Sequence, residues 1–248
     1  MLKKHFGWVP SKPDGRDYAY SCNFNLFLPP SIDLKYNCPV VYDQLDLGSC
    51  TANAVSGLVQ FLMIKYKLKV YRPARLAIYY WARMLDNTIQ EDAGTSLRTA
   101  VKVLNKIGTP AEWLWPYDIV KFKEQPDKKT IEYASKHKIT QYFKVAQDIN
   151  SMKNCLAAGF PFVFGFNVYE SFMTLDVART GIMPIPAKNE QLLGGHATEC
   201  VGYTPEYFIV RNSWGKKWGL KGYFKMPYSL IEDKKFADDF WTFHSINS

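Results

Sequence analysis

Cys50 follows Gly48 and Ser49 and opens a run in which Val55, Leu58, Val59, Leu62 and Tyr66 recur at helical spacing. A thiol at a helix N-terminus sits in the positive field of unpaired N–H groups and the helix dipole, which favours thiolate. A nucleophile of this kind needs a base, and the base needs a group that orients it. His196, 146 residues downstream in GGHATECVGY, and Asn212, 16 residues further in IVRNSWGKKWGLKGY, supply those residue types in that order. Gly194 and Gly195 allow close backbone approach beside the histidine, and the indoles of Trp214 and Trp218 flank the asparagine. The chemistry such a set can perform is acyl transfer through a thioester. Each residue alone has a plainer reading, since a free cysteine is usually a small buried hydrophobe.

The elements that must position these residues fall into two textures. Ser49 is a suitable N-cap for the helix towards Lys67, and Gly48 suits a tight turn into it. Pro73 opens a second helical stretch, ARLAIYYWARML. A third, TSLRTAVKVLNKIG over 95–108, places Leu97, Val101 and Leu104 on one side and stops at Gly108. After about residue 150 come short aromatic and Val-rich runs bounded by Gly and Pro, at 161–168, 196–203, 207–214 and 222–227, which read as strands. The expected class is α+β, with a helical lobe over 31–150, a β-rich lobe over 151–248 and a cleft between them. Residues 1–30 read as an arm whose prolines and aromatics, Phe6 and Trp8 among them, dock on the body.

Composition narrows the alternatives. The 248 residues are 47% hydrophobic, 16% aromatic and 22% charged, which excludes a disordered chain. The uncharged stretch from Asn154 to Tyr169 is too short to span a bilayer and contains Pro161. The opening lysines lack a following apolar segment, so an ordinary signal peptide is not expected. Five cysteines without a C-x-x-C, and four histidines at no zinc spacing, argue against a disulfide scaffold or a structural metal. A net charge of +8 reads as a solvated basic surface, because no groove-reading nucleic-acid motif accompanies it.

Taken together, three blocks resemble the papain superfamily of cysteine proteases: Gln44-Leu-Asp-Leu-Gly-Ser-Cys50, Gly194-Gly-His196-Ala-Thr-Glu-Cys-Val-Gly-Tyr203, and Arg211-Asn212-Ser-Trp-Gly-x-x-Trp-Gly-x-x-Gly-Tyr223. The resemblance spans about residues 31–240 and implies the two-lobed fold with its site in the cleft. It implies Cys50 as nucleophile, His196 as base, Asn212 as its orienter, and Gln44, six residues before Cys50, as side-chain donor of the oxyanion hole. More loosely it implies Gly94 and Thr95 as substrate-backbone partners and Gly195 and Ala197 as pocket lining for the second residue before the scissile bond. Trp218 would then lie on the leaving-group side. The implied partner is a peptide or protein substrate, with no metal or organic cofactor, no obligatory nucleic acid and no membrane insertion.

The sequence also departs from the family pattern. Leu47 stands where most members have a disulfide cysteine, and Thr51 where they have tryptophan. With GWVPSKPDGRDY near its start, the chain is more similar to the divergent bacterial and viral branch, which favours a reducing intracellular or virion setting. The same triad could serve an amidase or transamidase, and a binding protein with a basic face is a reading from another class. The arm over 1–30 would either block the cleft or brace the molecule.

Overall fold

The computed structural model describes residues 4–21 and 28–247; Cys22, Phe24 and Phe27 of the arm lie outside them. Helices α1 (Cys50–Lys65), α2 (Arg75–Leu85), α3 (Leu97–Lys106) and α4 (Lys128–Ser135) come first, preceded by the short strand β1 (Ile32–Asp33). There follow β2 (Ile139–Lys144), α5 (Ile149–Ala157), β3 (Phe162–Tyr169), α6 (Leu175–Thr180) and β4 (Leu192–Tyr203). The chain closes with β5 (Tyr207–Arg211), β6 (Tyr223–Pro227), α7 (Tyr228–Glu232) and β7 (Ala237–Ile246). The strands form one antiparallel sheet in the order β2-β7-β3-β4-β5-β6, with β1 paired to β4. The fold is thus α+β, as expected, but β1 and β2 bring residues of the segment read as helical into the sheet.

Helix α1 differs from the one-sided amphipathic helix that its spacing predicts. Cys50 through Val59 are all buried, because α1 packs on β4 and β7 and is covered by α2 and α3. A helix with core on nearly all sides carries small or apolar residues all round, and Ala52, Ala54, Ser56 and Gly57 meet that demand. Helix α3 keeps the predicted pattern: Ser96 caps it by accepting from Thr99 N, and Gly108 follows at φ 120°.

One buried ion pair sets how α1 lies on the sheet. Glu199 of β4 and Arg211 of β5 are register partners, with Arg211 Nη1 3.4 Å from Glu199 Oε2 and both residues buried. Arg211 also donates to Val40 O at 2.8 Å and lies over the Tyr42 ring. Burial pushes the Glu199 carboxyl up to about 7, against the pull of Arg211. Gly57 passes over the pair so closely that a Cβ there would fall 2.5 Å from both Arg211 Nη1 and Glu199 Oε2. Removing one partner strands the other without water. Arg211→Met is expected to lower unfolding free energy by about 3–5 kcal/mol, and replacing both partners with Met to recover most of it. Denaturant unfolding of the two variants checks this.

Candidate active site

Cys50 is the first residue of α1, so the free N–H groups of the first turn surround its side chain. Ser49 occupies the N-cap but its hydroxyl does not cap the helix. That hydroxyl instead shares a 2.6 Å hydrogen bond with Tyr117 Oη and accepts from Asn53 Nδ2. The preceding Gly48 is needed for proximity more than for its turn. Its N–H donates to both Asp92 carboxylate oxygens, at 3.1 and 2.9 Å, and a Cβ would fall 2.9 Å from Oδ1. Tyr79 Oη donates to the same Oδ1 and accepts from Gly94 N at 3.1 Å. Asp92 therefore ties the turn before Cys50 to the Gly94 segment.

His196 enters from β4, where register places it opposite Phe166 of β3. Asn212 Oδ1 accepts from Ser213 N at 2.8 Å, which identifies it as the amide oxygen. The contact with His196 Nε2, also 2.8 Å, must then be a donation from the ring. That tautomer leaves Nδ1 with its lone pair, and Nδ1 has no hydrogen-bond partner. Trp214 stacks on the imidazole, centroids 4.7 Å apart at 27°, and shields the pair from water. Trp218 stands edge-on behind Trp214, at 5.0 Å, and is buried. The indole on the histidine is thus Trp214.

Gln44 is fully buried and its amide is fixed at both ends. Ser213 Oγ donates to Oε1 at 2.7 Å, while Nε2 donates to Leu47 O at 2.9 Å and His5 O at 3.1 Å. Ser213 sits in the Asn-Ser-Trp block but has no sequence signal of its own there. Asp92 and Tyr79 have no sequence signal of their own; they meet Gly48 through space.

The cleft is occupied by the chain's own arm. Besides the His5 carbonyl at Gln44, Phe6 lies against His196 and Trp214, each centroid pair 6.5 Å apart. The backbone N–H groups of Ala197, Gly7, Thr51 and Cys50 favour the Cys50 thiolate. Thr95 N donates to Gly7 O at 2.8 Å and Val9 N to Thr95 O at 3.1 Å, a parallel pairing. On the opposite wall Trp8 N donates to Gly195 O at 2.9 Å. Gly94 has φ +71° and no room beyond its hydrogen, since a Cβ would meet Gly7 O at 2.1 Å. The Trp8 indole is buried, lying on Gly165 and Gly195 and donating to Asp239. Gly94, Thr95 and Gly195 thus all meet the arm.

With the arm seated, the site is desolvated. Burial pushes the Cys50 thiol up to about 11, with the backbone N–H groups opposing, and pushes the His196 imidazole down to about 4. Between those values both groups are neutral, so thiolate forms readily only when the arm yields. Iodoacetamide labelling of Cys50 at pH 7 is expected to be at least about tenfold faster in Trp8→Ala than in the unaltered chain. Equal rates would show that the seated arm does not restrain the thiol.

Residues 28–237 match the model of the papain family cysteine proteases. The chain is 40% identical to an uncharacterised peptidase C1-like protein of Acanthamoeba polyphaga mimivirus, over 99% of this chain and 88% of that protein. Among solved structures it is similar to xylellain, a cysteine protease from Xylella fastidiosa, with a TM-score of 0.91, 39% identity and 99% of each chain covered. Procathepsin B S9 of Trypanosoma congolense shares the fold at a TM-score of 0.76 and 16% identity, over 98% of this chain and 86% of that one. No helix among the described residues is long and apolar enough to cross a membrane. By motif, fold and kinship alike, the chain belongs to the papain family of cysteine proteases.

Proposed function

We propose that the chain hydrolyses peptide bonds through Cys50, His196 and Asn212, with Gln44 in the oxyanion hole. The observation that carries this reading is the grip of Gln44 Nε2 on a main-chain carbonyl, that of His5, beside Cys50. The groove already binds peptide backbone, through Gln44 near Cys50 and through Thr95 and Gly195 on facing walls. His196 Nδ1 takes the Cys50 proton as the sulfur attacks a substrate carbonyl carbon. The carbonyl π pair moves onto oxygen, where the Gln44 amide and the Cys50 backbone N–H receive it. Collapse expels the amine, which carries off the proton from His196, and leaves a thioester. His196 then deprotonates water, whose attack on the thioester releases the carboxylic acid and returns the proton to sulfur. Asn212 keeps the ring turned towards the sulfur throughout.

The arm holds this site in a blocked state. A leaving amine must depart on the His196–Trp214 side, so a substrate runs from the Thr95–Gly195 side towards Trp214. Residues 5–9 run the other way, from Phe6 at Trp214 to Val9 at Thr95. The parallel pairing commits the Gly7 carbonyl to Thr95 and turns the Gly7 N–H towards the sulfur. The arm fills the groove without presenting that carbonyl for attack.

Hydrolysis of denatured casein tests the reading. Trp8→Ala is expected to raise the rate, and adding Cys50→Ala to abolish it. Adding Gln44→Ala instead is expected to lower kcat by about 10²–10³-fold. Hydrolysis that persists without the Cys50 thiol would overturn the proposal, and an amide product with added amine would replace it with a transamidase.

A further inference from the structure

Gln44 and Cys50 are joined by a loop that doubles back to set one beside the other. Its first residue, Leu45, holds φ +55°, a left-handed conformation that leucine keeps only where its surroundings enforce it. Tyr117, from the segment between α3 and α4, places one hydroxyl between the two ends of that loop. It donates to Gln44 O at 2.9 Å and stands 2.6 Å from Ser49 Oγ. A carbonyl oxygen only accepts, so the phenolic proton lies towards Gln44 and Ser49 Oγ donates to Tyr117 Oη.

The same direction holds further back. Ser49 Oγ accepts from Asn53 Nδ2 at 3.1 Å, and Asn53 Oδ1 accepts from Arg75 Nη1 at 2.9 Å. Four hydrogen bonds thus run one way, from the Arg75 guanidinium through Asn53, Ser49 and Tyr117 to the Gln44 carbonyl. A chain that starts at a cation and never reverses is polarised along its length, which strengthens each bond in it. Arg75 also fixes the ring itself, lying 3.8 Å from the Tyr117 centroid. Glu112 accepts from its Nε at 2.9 Å and Nη2 at 3.1 Å, and Asp43 O, next to Gln44, accepts from Nη1 at 3.1 Å. Burial raises the Tyr117 phenol above its ordinary value, so the hydroxyl keeps the proton it donates.

We infer that Tyr117 is a positioning residue for the proposed oxyanion hole, its hydroxyl setting the gap between the Gln44 amide and the Cys50 backbone N–H without touching substrate. The Gln44 side chain leaves from the residue whose carbonyl Tyr117 grips, and the Cys50 N–H belongs to the peptide that follows Ser49. Without the hydroxyl the loop relaxes at Leu45 and the two donors separate. The sulfur and its base do not follow, because α1 is held on the sheet at Gly57 and His196 by Asn212. An oxyanion exists only along the path of acyl transfer, so the loss falls on kcat and spares KM.

The inference rests on the protease reading, and its test separates the two. The full chain carrying Trp8→Ala, which frees the groove, is the parent, with labelled casein as substrate and iodoacetamide, whose reaction forms no oxyanion, as the probe of Cys50. Adding Tyr117→Phe is expected to lower kcat at least about tenfold, with KM and the alkylation rate each within about twofold of the parent. Ser49→Ala, which removes the donor to Tyr117, is expected to act in the same way. In Gln44→Ala the loss from Tyr117→Phe is expected to shrink below about threefold, since the side-chain donor it positions is gone. An unchanged kcat in a folded variant overturns the inference, as does an equal fall in alkylation or a loss undiminished in Gln44→Ala. Misfolding of both Tyr117→Phe and Ser49→Ala, read by circular dichroism, overturns it too, because the hydroxyl then serves the fold and not the hole. Casein hydrolysis indifferent to Tyr117 removes this inference alone; no hydrolysis by the parent removes the protease reading and the inference with it.

Discussion

Everything in the cleft depends on how closely α1 lies on β4, and that distance is set at Gly57 over the Glu199–Arg211 pair. The pair is buried on adjacent strands, so it fixes the β4–β5 register from below while the helix presses from above. Cys50 lies two helical turns from Gly57 on α1, His196 three residues before Glu199, and Asn212 next to Arg211. Cys50, His196 and Asn212 are therefore each a short, rigid segment away from one contact. A buried ion pair is a poor source of stability in itself. Its worth here is positional, because α1 can lie this close over the pair only with glycine at 57.

A second layer of polar ties does the local work. Asp92 joins the Gly48 turn to Gly94 through Tyr79, and Ser213 joins Gln44 to the loop that carries Asn212. Leu47 lacks the thiol that would cross-link the loop before Cys50, and among the described residues Cys38, Cys50 and Cys200 form no disulfide. The loop is held by hydrogen bonds whose integrity does not change with the redox state of its surroundings. Asp92 also lies 3.6 Å from His5 Nδ1, so the same carboxylate touches the arm.

Residues that act in a fixed local frame were legible in the sequence. The Cys50, His196 and Asn212 blocks carry their own glycines and indoles, and α3 carries its cap and its stop. What was not legible depends on distant segments meeting. The sheet takes β2 from the middle of the chain because β7, a hundred residues later, pairs with it; neither strand announces that partner. Helix α1 hides on all sides only because α2 and α3 cover it. Asp92, Tyr79 and Asp239 look like ordinary polar residues until the fold brings them to Gly48 and Trp8. The stacking of Trp214 on His196, with Trp218 edge-on behind it, was likewise not legible from the Asn-Ser-Trp block.

The arm is joined to the body it occupies, and that linkage sets the concentration at which it competes. A short tether holds its end at an effective concentration in the millimolar range, whatever the amount of protein in solution. Dilution cannot empty the groove, and a free peptide must outcompete a ligand that never diffuses away. One break in the chain between Asp17 and Ile32 would end that advantage. The same contacts would then have to survive as an ordinary bimolecular complex, whose occupancy falls with every dilution.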